Sequence, residues 1–255
     1  MNRALSICRG ALLPILLVGL WEAGARTGVL PPGTLSSPAA IGAASLEALR
    51  DGSLLWGTIE TFETALCGLA IGSIIGVIIG APLGLSPMVE AVVGPTLDAI
   101  RPVPSMALLP LALLIYGFGV RMEIMVVAFA CTWPVLIVTV SAVRAIDRRL
   151  LEVARVLELP WLLSMGRIVL PAALARIGVG VRVAAGIALV VAVTTEIVLN
   201  PRGLGYQMIV ASQSLRPDLM WAELIWLGLV GLAFDLVLRA IEGRWLARYA
   251  AVPVS

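Results

Sequence analysis

Long apolar runs separated by short polar segments make up most of this chain. Runs long enough to form membrane helices lie at about 11–25, 58–85, 89–117, 123–143, 178–199 and 221–241. Because about 20 apolar residues cross a bilayer as a helix, the pattern predicts an all-α integral membrane protein with about six transmembrane helices. We expect one transmembrane domain over residues 1–255, with an N-terminal span at 11–25 and core spans over about 58–241.

Two of the predicted spans carry patterns that bear on helix packing. The second span has a glycine at every fourth residue, namely Gly68, Gly72, Gly76, Gly80 and Gly84. Small residues at this spacing form a groove in which another membrane helix can approach closely, so we interpret the glycines as structural. The third span is interrupted at "RPVPS", where Pro102 and Pro104 predict a kink or an unwound turn.

Two absences from the composition exclude several kinds of chemistry. The chain is 60% hydrophobic and 13% charged, it has no histidine, and all 18 of its basic residues are arginine. Ser-His catalysis and histidine-ligated metal sites are therefore excluded. Without lysine there is no G-x-x-x-x-G-K-[ST] phosphate-binding loop, so ATP-derived energy must come from another subunit. We expect a chain that is not an enzyme and that binds neither a metal nor a cofactor.

The arginines are concentrated in three regions of the chain. They are Arg3 and Arg9, then Arg144, Arg148, Arg149, Arg155, Arg167 and Arg176, and finally Arg239, Arg244 and Arg248. Arginine is enriched in cytoplasmic segments of membrane proteins, so both termini and the middle cluster are expected in the cytoplasm. Nucleic acid is not an expected partner, because no aromatic residues are interleaved with the arginines.

A short amphipathic helix is predicted in the middle cluster, from Asp147 to Leu159. Asp147 suits an N-cap and Pro160 stops the helix, whose length of roughly 20 Å is too short for a bilayer. Such a helix either lies on the membrane surface or fits a groove on a partner protein. The small Ala154 in its apolar face and its mixed charges favour the partner groove.

The segment around this helix resembles the cytoplasmic loop motif E-A-A-x₃-G-x₉-I-x-L-P of permease subunits in type I ATP-binding-cassette (ABC) importers. Matching positions are Glu152, Ala154, Ile168, Leu170 and Pro171, with the spacing kept. Val153 replaces an alanine of the motif, and Glu158 replaces the glycine that allows a tight turn, so Pro160 is expected to provide the break. Segments such as "IRPVPSMALLPLALLIYGFG" and "RGLGYQMIVA" are similar to the nitrate/sulfonate/taurine-type permeases.

This resemblance implies a mechanism and a set of partners. In such importers two permease subunits, here expected as a homodimer in the bacterial inner membrane, stand on two ATPase subunits that bind ATP and Mg. An extracytoplasmic solute-binding protein delivers the solute. A coupling helix in the loop 144–171, between spans 4 and 5, docks on the ATPase. The docking residues implied are Arg148, Leu151, Glu152, Ala154, Arg155, Leu157 and Glu158. We expect Glu152→Lys, or a bulky residue at Ala154, to abolish docking and transport.

Candidate pathway residues are Asp98, Arg101, Pro102, Pro104, Arg182 and Glu196. An arginine at membrane depth usually faces a cavity or a partner, so Arg101 either attracts an anionic solute or is neutralised by Asp98. Arg182 is expected near the cytoplasmic interface and Glu196 at the outer interface. The resemblance implies a small anion such as nitrate, taurine, an alkanesulfonate or bicarbonate.

A second hypothesis is a self-sufficient secondary transporter or channel. An ion-coupled carrier usually has an unpaired carboxylate in mid-span. Asp98 and Asp235 are the candidates, but each has an arginine within helical reach, Arg101 and Arg239. This hypothesis is therefore the less favoured one.

Overall fold

The computed structural model of the chain describes residues 13, 16–28 and 35–250, without the side chains of 148, 155, 162 and 245–250. This part is helical and contains no strand, which confirms the predicted fold class. The helices are α1 (16–26), α2 (Pro38–Arg50), α3 (Ser53–Leu85), α4 (Pro87–Ile100), α5 (Leu109–Tyr116), α6 (Val120–Arg144), α7 (Arg148–Val156), α8 (Trp161–Ser164), α9 (Leu170–Val198), α10 (Gly203–Gln213) and α11 (Pro217–Ala250).

Four helices of the described part, α3, α6, α9 and α11, are long and apolar enough to cross a membrane. A fifth crossing is formed if α4 and the segment Ser105–Tyr116 count as one span, since the two pieces are bent by 81°. That bend lies at the predicted break, which contains Pro102 and Pro104. About six spans were expected, and the described residues contain four or five. The predicted first span includes residues 11, 12, 14 and 15, which lie outside the described residues.

The glycine row of α3 lies directly against α6. A Cβ added at any of its five positions would come within 3.0 Å of an α6 atom. Each glycine faces the α6 residue 59 positions further along, from Gly68 against Val127 to Gly84 against Val143. Because the residue numbers in α3 and α6 rise together along this contact, the two helices run parallel. The absence of Cβ atoms at the glycines allows their backbones to approach closely.

The helix α9 runs antiparallel to α6. Cys131 Sγ lies 3.5 Å from the carbonyl oxygen of Ala184, while Val138 packs on Gly180. We call the end of the bundle that carries residues 145–170 the loop end and the opposite end the far end. The last helix, α11, runs from the far end to the loop end beside α3, as its Trp226 Nε1–H donates to Thr58 Oγ1 at 2.9 Å.

The predicted fifth span is longer than the hydropathy pattern suggested. It begins in a π-helical segment, Met165–Val169, which continues directly into α9. The span was expected to begin at about residue 178, but the helical backbone already begins at Met165, closer to the loop end. A small core cluster made by Met165, Val169 and Ala173 with Ala142 and Val143 holds this extension in place.

Candidate functional site

The predicted coupling helix is present as α7, from Arg148 to Val156. It begins where Asp147 Oδ1 accepts a hydrogen bond from the Arg149 N–H at 2.9 Å. It ends with Glu158 at a φ of 46° and a hydrogen bond of 3.1 Å from the Leu159 N–H to the Ala154 carbonyl. This bond and the left-handed residue form a Schellman cap, for which glycine is the usual residue. The expectation that Pro160 provides the break is therefore corrected: Glu158 itself adopts the glycine-type conformation.

The two faces of α7 differ in what they contact. Ala154 is only 6% exposed, and Leu151 packs against the core cluster that includes Met165. Hence Ala154 faces its own protein rather than a partner, which corrects the expectation that it contributes to a docking surface. The side chains of Arg148 and Arg155 lie outside the described residues.

An apolar stripe that extends from this packed side around α7 is uncovered in the chain. Its large side chains are exposed at Leu150 (44%), Val153 (49%), Val156 (82%) and Leu157 (61%), and we call these four residues the α7 apolar face. The charged side chain of Glu152 is exposed on the same short helix. Four exposed aliphatic residues within eight positions form a patch of the kind that marks an interaction site.

The second part of the loop motif lies in helix rather than in a loop. Ile168 belongs to the π-helical segment, and Leu170 and Pro171 form the first turn of α9. Pro171, which has no N–H to donate, comes two residues after the end of the π-helical segment in the same continuous helix. Leu170 packs on the core cluster of Met165, so the motif residues connect the α7 region to a membrane-crossing helix.

A groove of about 310 Å³ runs between α4 and α6 and contains two of the pathway candidates, Asp98 and Arg101. Within the described residues, no ion pair of 4.0 Å or less joins these two side chains. The predicted neutralisation of Arg101 by Asp98 is thus not seen in this structure. Deeper toward the loop end the groove is lined by an ion pair between Arg144 and Glu90. Arg101 itself is exposed and follows the last residue of α4, immediately before the proline break.

Arg182 is held by an ion pair with the last helix. Its Nη1 lies 2.6 Å from Glu242 Oε2, and the two side chains are 33% and 16% exposed. Arg182, which was expected near the cytoplasmic interface, thus connects α9 to α11. Asp235 and Arg239, in contrast, form the predicted pair within α11, at 2.7 Å.

A buried carboxyl cluster at the far end was not predicted. Glu123 of α6 is 0% exposed and Glu196 of α9 is 2% exposed. Glu196 was expected at the outer interface, but its side chain is buried within the protein. Thr64 Oγ1 donates to Glu123 at 2.8 Å, and Thr61 Oγ1 donates to Glu196 at 3.0 Å. Asn200 donates its side-chain amide to the other oxygen of Glu123. The cluster thus ties α3, α6 and α9 together.

The same cluster holds the turn between α9 and α10. The Gly205 N–H donates to Glu196 at 2.8 Å, and the Gly203 N–H donates to Glu60 at 3.0 Å. Arg202 Nε also lies 3.0 Å from Glu60. A Cβ on Gly205 would lie 2.4 Å from the Val193 carbonyl oxygen. The glycines of the "RGLG" sequence therefore let the backbone of this turn come close enough to donate hydrogen bonds to Glu60 and Glu196.

The residues of this far-end cluster leave one signal in the sequence. Glu60 and Thr64 continue the four-residue spacing of the glycine row toward the start of α3. A row that faces α6 at its glycines must also face α6 at Thr64, which is where Glu123 is found. Burial of carboxyl groups is costly unless they are hydrogen-bonded, and these groups have donors. We interpret the cluster as structural, and among the described residues no group of three or more His, Cys, Asp or Glu is arranged to hold a metal.

Two solved chains from ABC transporters share this arrangement of helices. A chain of the "amino acid ABC transporter with histidines" aligns with a TM-score of 0.54 at 19% identity, covering 80% of this chain and 97% of that one. An "inward facing" chain of the MetNI methionine ABC transporter aligns with a TM-score of 0.55 at 19% identity, covering 77% and 97%. At this identity the likeness shows the fold, which is that of a type I ABC importer permease.

The sequence itself shows the family. Residues 72–246 match the family described as "Binding-protein-dependent transport system inner membrane component", and the chain belongs to that family. It is 32% identical over 238 residues to a "Putative aliphatic sulfonates transport permease protein" of Bacillus subtilis (strain 168), covering 93% of this chain and 86% of that protein. It is also 32% identical over 199 residues to the "Bicarbonate transport system permease protein" of Synechococcus elongatus, covering 78% and 71%. The resemblance inferred from the loop motif is thereby confirmed.

Proposed function

We propose that this chain forms the solute pathway of an ATP-driven importer and receives the energy of ATP hydrolysis through α7. ATP and Mg are bound by two partner ATPase subunits, and this chain catalyses no reaction. The observation that carries the proposal is the α7 apolar face, which is exposed on a helix that is capped at both ends, at Asp147 and Glu158. A cleft on an ATPase subunit that accepts this face would cover Leu150, Val153 and Leu157 together.

The mechanical part of the proposal follows from how α7 is attached. Leu151 and Ala154 fix one side of the helix to the bundle, and a turn at residues 157–160 followed by α8 joins it to the π-helical segment that continues into α9. A displacement of α7 by its partner would therefore be transmitted to α9 as a rigid-body movement. The ion pair of Arg182 with Glu242 would carry the same movement to α11.

Arginine counts support an orientation with the loop end in the cytoplasm. Nine arginines belong to loop-end segments, namely Arg144, Arg148, Arg149, Arg155, Arg167, Arg176, Arg239, Arg244 and Arg248. Five belong to far-end segments, namely Arg26, Arg50, Arg121, Arg202 and Arg216. Because cytoplasmic segments carry the arginine excess, we place both termini and α7 in the cytoplasm of a bacterial inner-membrane protein and α10 on the outer side.

A small anion is the proposed solute. Arg101 is exposed in the groove between α4 and α6 and has no carboxylate within ion-pair distance among the described residues, so its charge is available to a passing anion. The related permeases of aliphatic sulfonates and bicarbonate are named for solutes of this class. A second copy of this chain would supply the other half of the pathway, and an extracytoplasmic binding protein would deliver the solute.

Affinity capture of the tagged chain from membranes of its native host tests the ATPase partnership. We expect a soluble chain carrying a phosphate-binding loop to co-elute in mild detergent, and we expect it to be lost from Val153→Arg and Glu152→Lys. The control is Ala172→Arg, which adds a cation to an exposed position at the same end but outside α7. Co-elution that is equal for Val153→Arg and the control would disprove docking through the α7 apolar face.

A secondary transporter remains the alternative, and the buried carboxyl cluster is the observation in its favour. Glu123 and Glu196 are buried carboxyls within spans, as in ion-coupled carriers. Their donors and their position at one end of the bundle favour the structural role instead. Uptake into liposomes by the chain alone, driven by an ion gradient, would establish the alternative.

A further inference from the structure

Two carboxyl groups of the far-end cluster are buried beside each other. Glu123 and Glu196, which we call the buried pair, have almost no exposed surface, and their carboxyl groups lie within hydrogen-bond reach of each other. Two carboxylates at such a distance repel each other unless a proton lies between them or a cation balances them. The charged groups around the buried pair therefore determine the form in which it exists inside the protein.

The cation nearest to the buried pair is already balanced by other carboxylates. Arg202 Nε lies 3.0 Å from Glu60 Oε1, and Arg202 Nη2 lies 4.0 Å from Glu63 Oε2. Arg121, on the same helix as Glu123, is exposed and lines an apolar groove between α3 and α6. The helix α10 has no charged side chain, and its Tyr206 lines a separate notch. If both members of the pair were ionised, two negative charges would thus be buried without a cation of their own among the described residues.

Hydrogen-bond donors around the buried pair can stabilise one negative charge. Thr61 Oγ1 and the Gly205 N–H both donate to Glu196 Oε2, at 3.0 and 2.8 Å. Thr64 Oγ1 donates to Glu123 Oε1 at 2.8 Å. Donors of this kind can hold a single buried carboxylate, but they do not remove the repulsion between two neighbouring ones. The surroundings therefore accept one charge on the pair, which leaves one proton to be held between the two groups.

A buried amide beside the pair gives independent support for this proton. Asn200 is 2% exposed, and its Oδ1 has no hydrogen-bond partner among the described residues. Its Nδ2 lies 2.5 Å from Glu123 Oε2, which is shorter than the usual N–H···O bond and within the range of O–H···O bonds. The nitrogen and oxygen of an amide occupy nearly the same space, so half a turn of the amide brings Oδ1 to Glu123. A proton on Glu123 then gives this buried acceptor its donor.

We propose that Glu123 and Glu196 bind one proton between them in the folded protein at neutral pH. The site joins α3, α6, α9 and the turn before α10, so the far end of the bundle is assembled around this proton. Unfolded glutamates have released their protons at neutral pH, so the folded state holds one proton more than the unfolded state. Stability should therefore fall as the pH rises, by about tenfold in the unfolding constant per pH unit, until the pair releases its proton.

Infrared spectroscopy of the purified full-length protein in detergent counts this proton directly. A protonated carboxyl group has a C=O stretching band that an ionised carboxylate lacks, and carbon-13 labelling of the glutamate carboxyls identifies the part of the band that glutamate contributes. The measurement is made in Glu223→Gln, which removes the third buried glutamate of the described residues. We expect a band of one carboxyl group at neutral pH, and we expect it to disappear as the pH rises.

Substitutions in this background locate the proton. Glu123→Gln, Glu196→Gln and the double variant should each lose the whole band, because the remaining carboxyl group has no like charge beside it and its donors hold it ionised. The matched control is Glu63→Gln, which removes an exposed carboxylate at the same end of the bundle and should keep the band.

Each other outcome would overturn the proposal. Absence of the band from the Glu223→Gln protein would mean that both members of the pair are ionised, and this result does not depend on whether variants of the pair fold. A band that survives in one single variant and disappears in the double variant would place the proton on one carboxyl group alone. A band of two carboxyl groups would mean that each member carries its own proton.

Discussion

Replacing Gly72 by alanine tests the close packing of α3 on α6. The added Cβ would lie 2.5 Å from the Ala128 carbonyl oxygen and 2.8 Å from Cys131 Cβ. These neighbours are a backbone atom and a Cβ, neither of which can rotate away, so α6 itself must move by about 1 Å to restore ordinary contact. Overpacking of this kind costs about 1–3 kcal/mol, against which alanine gains up to about 1 kcal/mol in helix propensity. A net loss of about 1 kcal/mol is expected.

Gly186 in α9 provides the matched control for this substitution. A Cβ there meets nothing within 4 Å, so Gly186→Ala keeps the gain in helix propensity and adds no collision. In detergent, thermal unfolding followed by tryptophan fluorescence should give Gly72→Ala a Tm about 2–4 °C below that of the unmodified protein, and Gly186→Ala an unchanged or higher Tm. Equal Tm values for the two variants would refute the packing described for the glycine row.

Three further substitutions test other parts of the structure. Glu158→Gly removes the left-handed strain, worth about 1 kcal/mol, and should slow amide exchange of the next residue, Leu159; unchanged or faster exchange would speak against the cap. Gly205→Ala should lose about 2 kcal/mol by thermal unfolding whereas Gly178→Ala, in open space, should not; equal losses would contradict the close approach at the far-end turn. Arg182→Gln should lose about 1–3 kcal/mol, and the pair Arg182→Glu with Glu242→Arg should regain part of it in a double-mutant cycle; no coupling would exclude the ion pair.

Local sequence signals predicted the features that depend on local chemistry. The break at Pro102 and Pro104 follows from what proline does to a helix, and the start of α7 follows from Asp147 as a cap. The glycine row predicted a groove for helix packing. It did not predict that α6 would be the helix in that groove, or that α6 would run parallel to α3. Direction and partner are set by the tertiary arrangement of the spans, which a periodic pattern does not contain.

Features that depend on distant contacts were missed or misplaced. Thr61 and Glu196 are 135 positions apart, and the polarity of Glu196 alone suggested an interface rather than a buried bond. In α7, helical periodicity identified the amphipathic faces but could not tell which face the protein covers itself, so Ala154 was assigned to the wrong surface. Glu158 shows that a turn can be kept when its glycine is replaced, at a cost in backbone strain.

ATP-driven uptake by the reconstituted complex is the most direct test of the proposed function. The chain is co-purified with its ATPase, incorporated into liposomes with ATP inside, and given the extracytoplasmic binding protein with radiolabelled taurine, an alkanesulfonate or bicarbonate outside. We predict uptake of at least one of these anions that requires ATP, is lost in Val153→Arg and is retained in Ala172→Arg. Uptake by the chain alone under an ion gradient, or full ATP-driven uptake by Val153→Arg, would contradict coupling through the α7 apolar face.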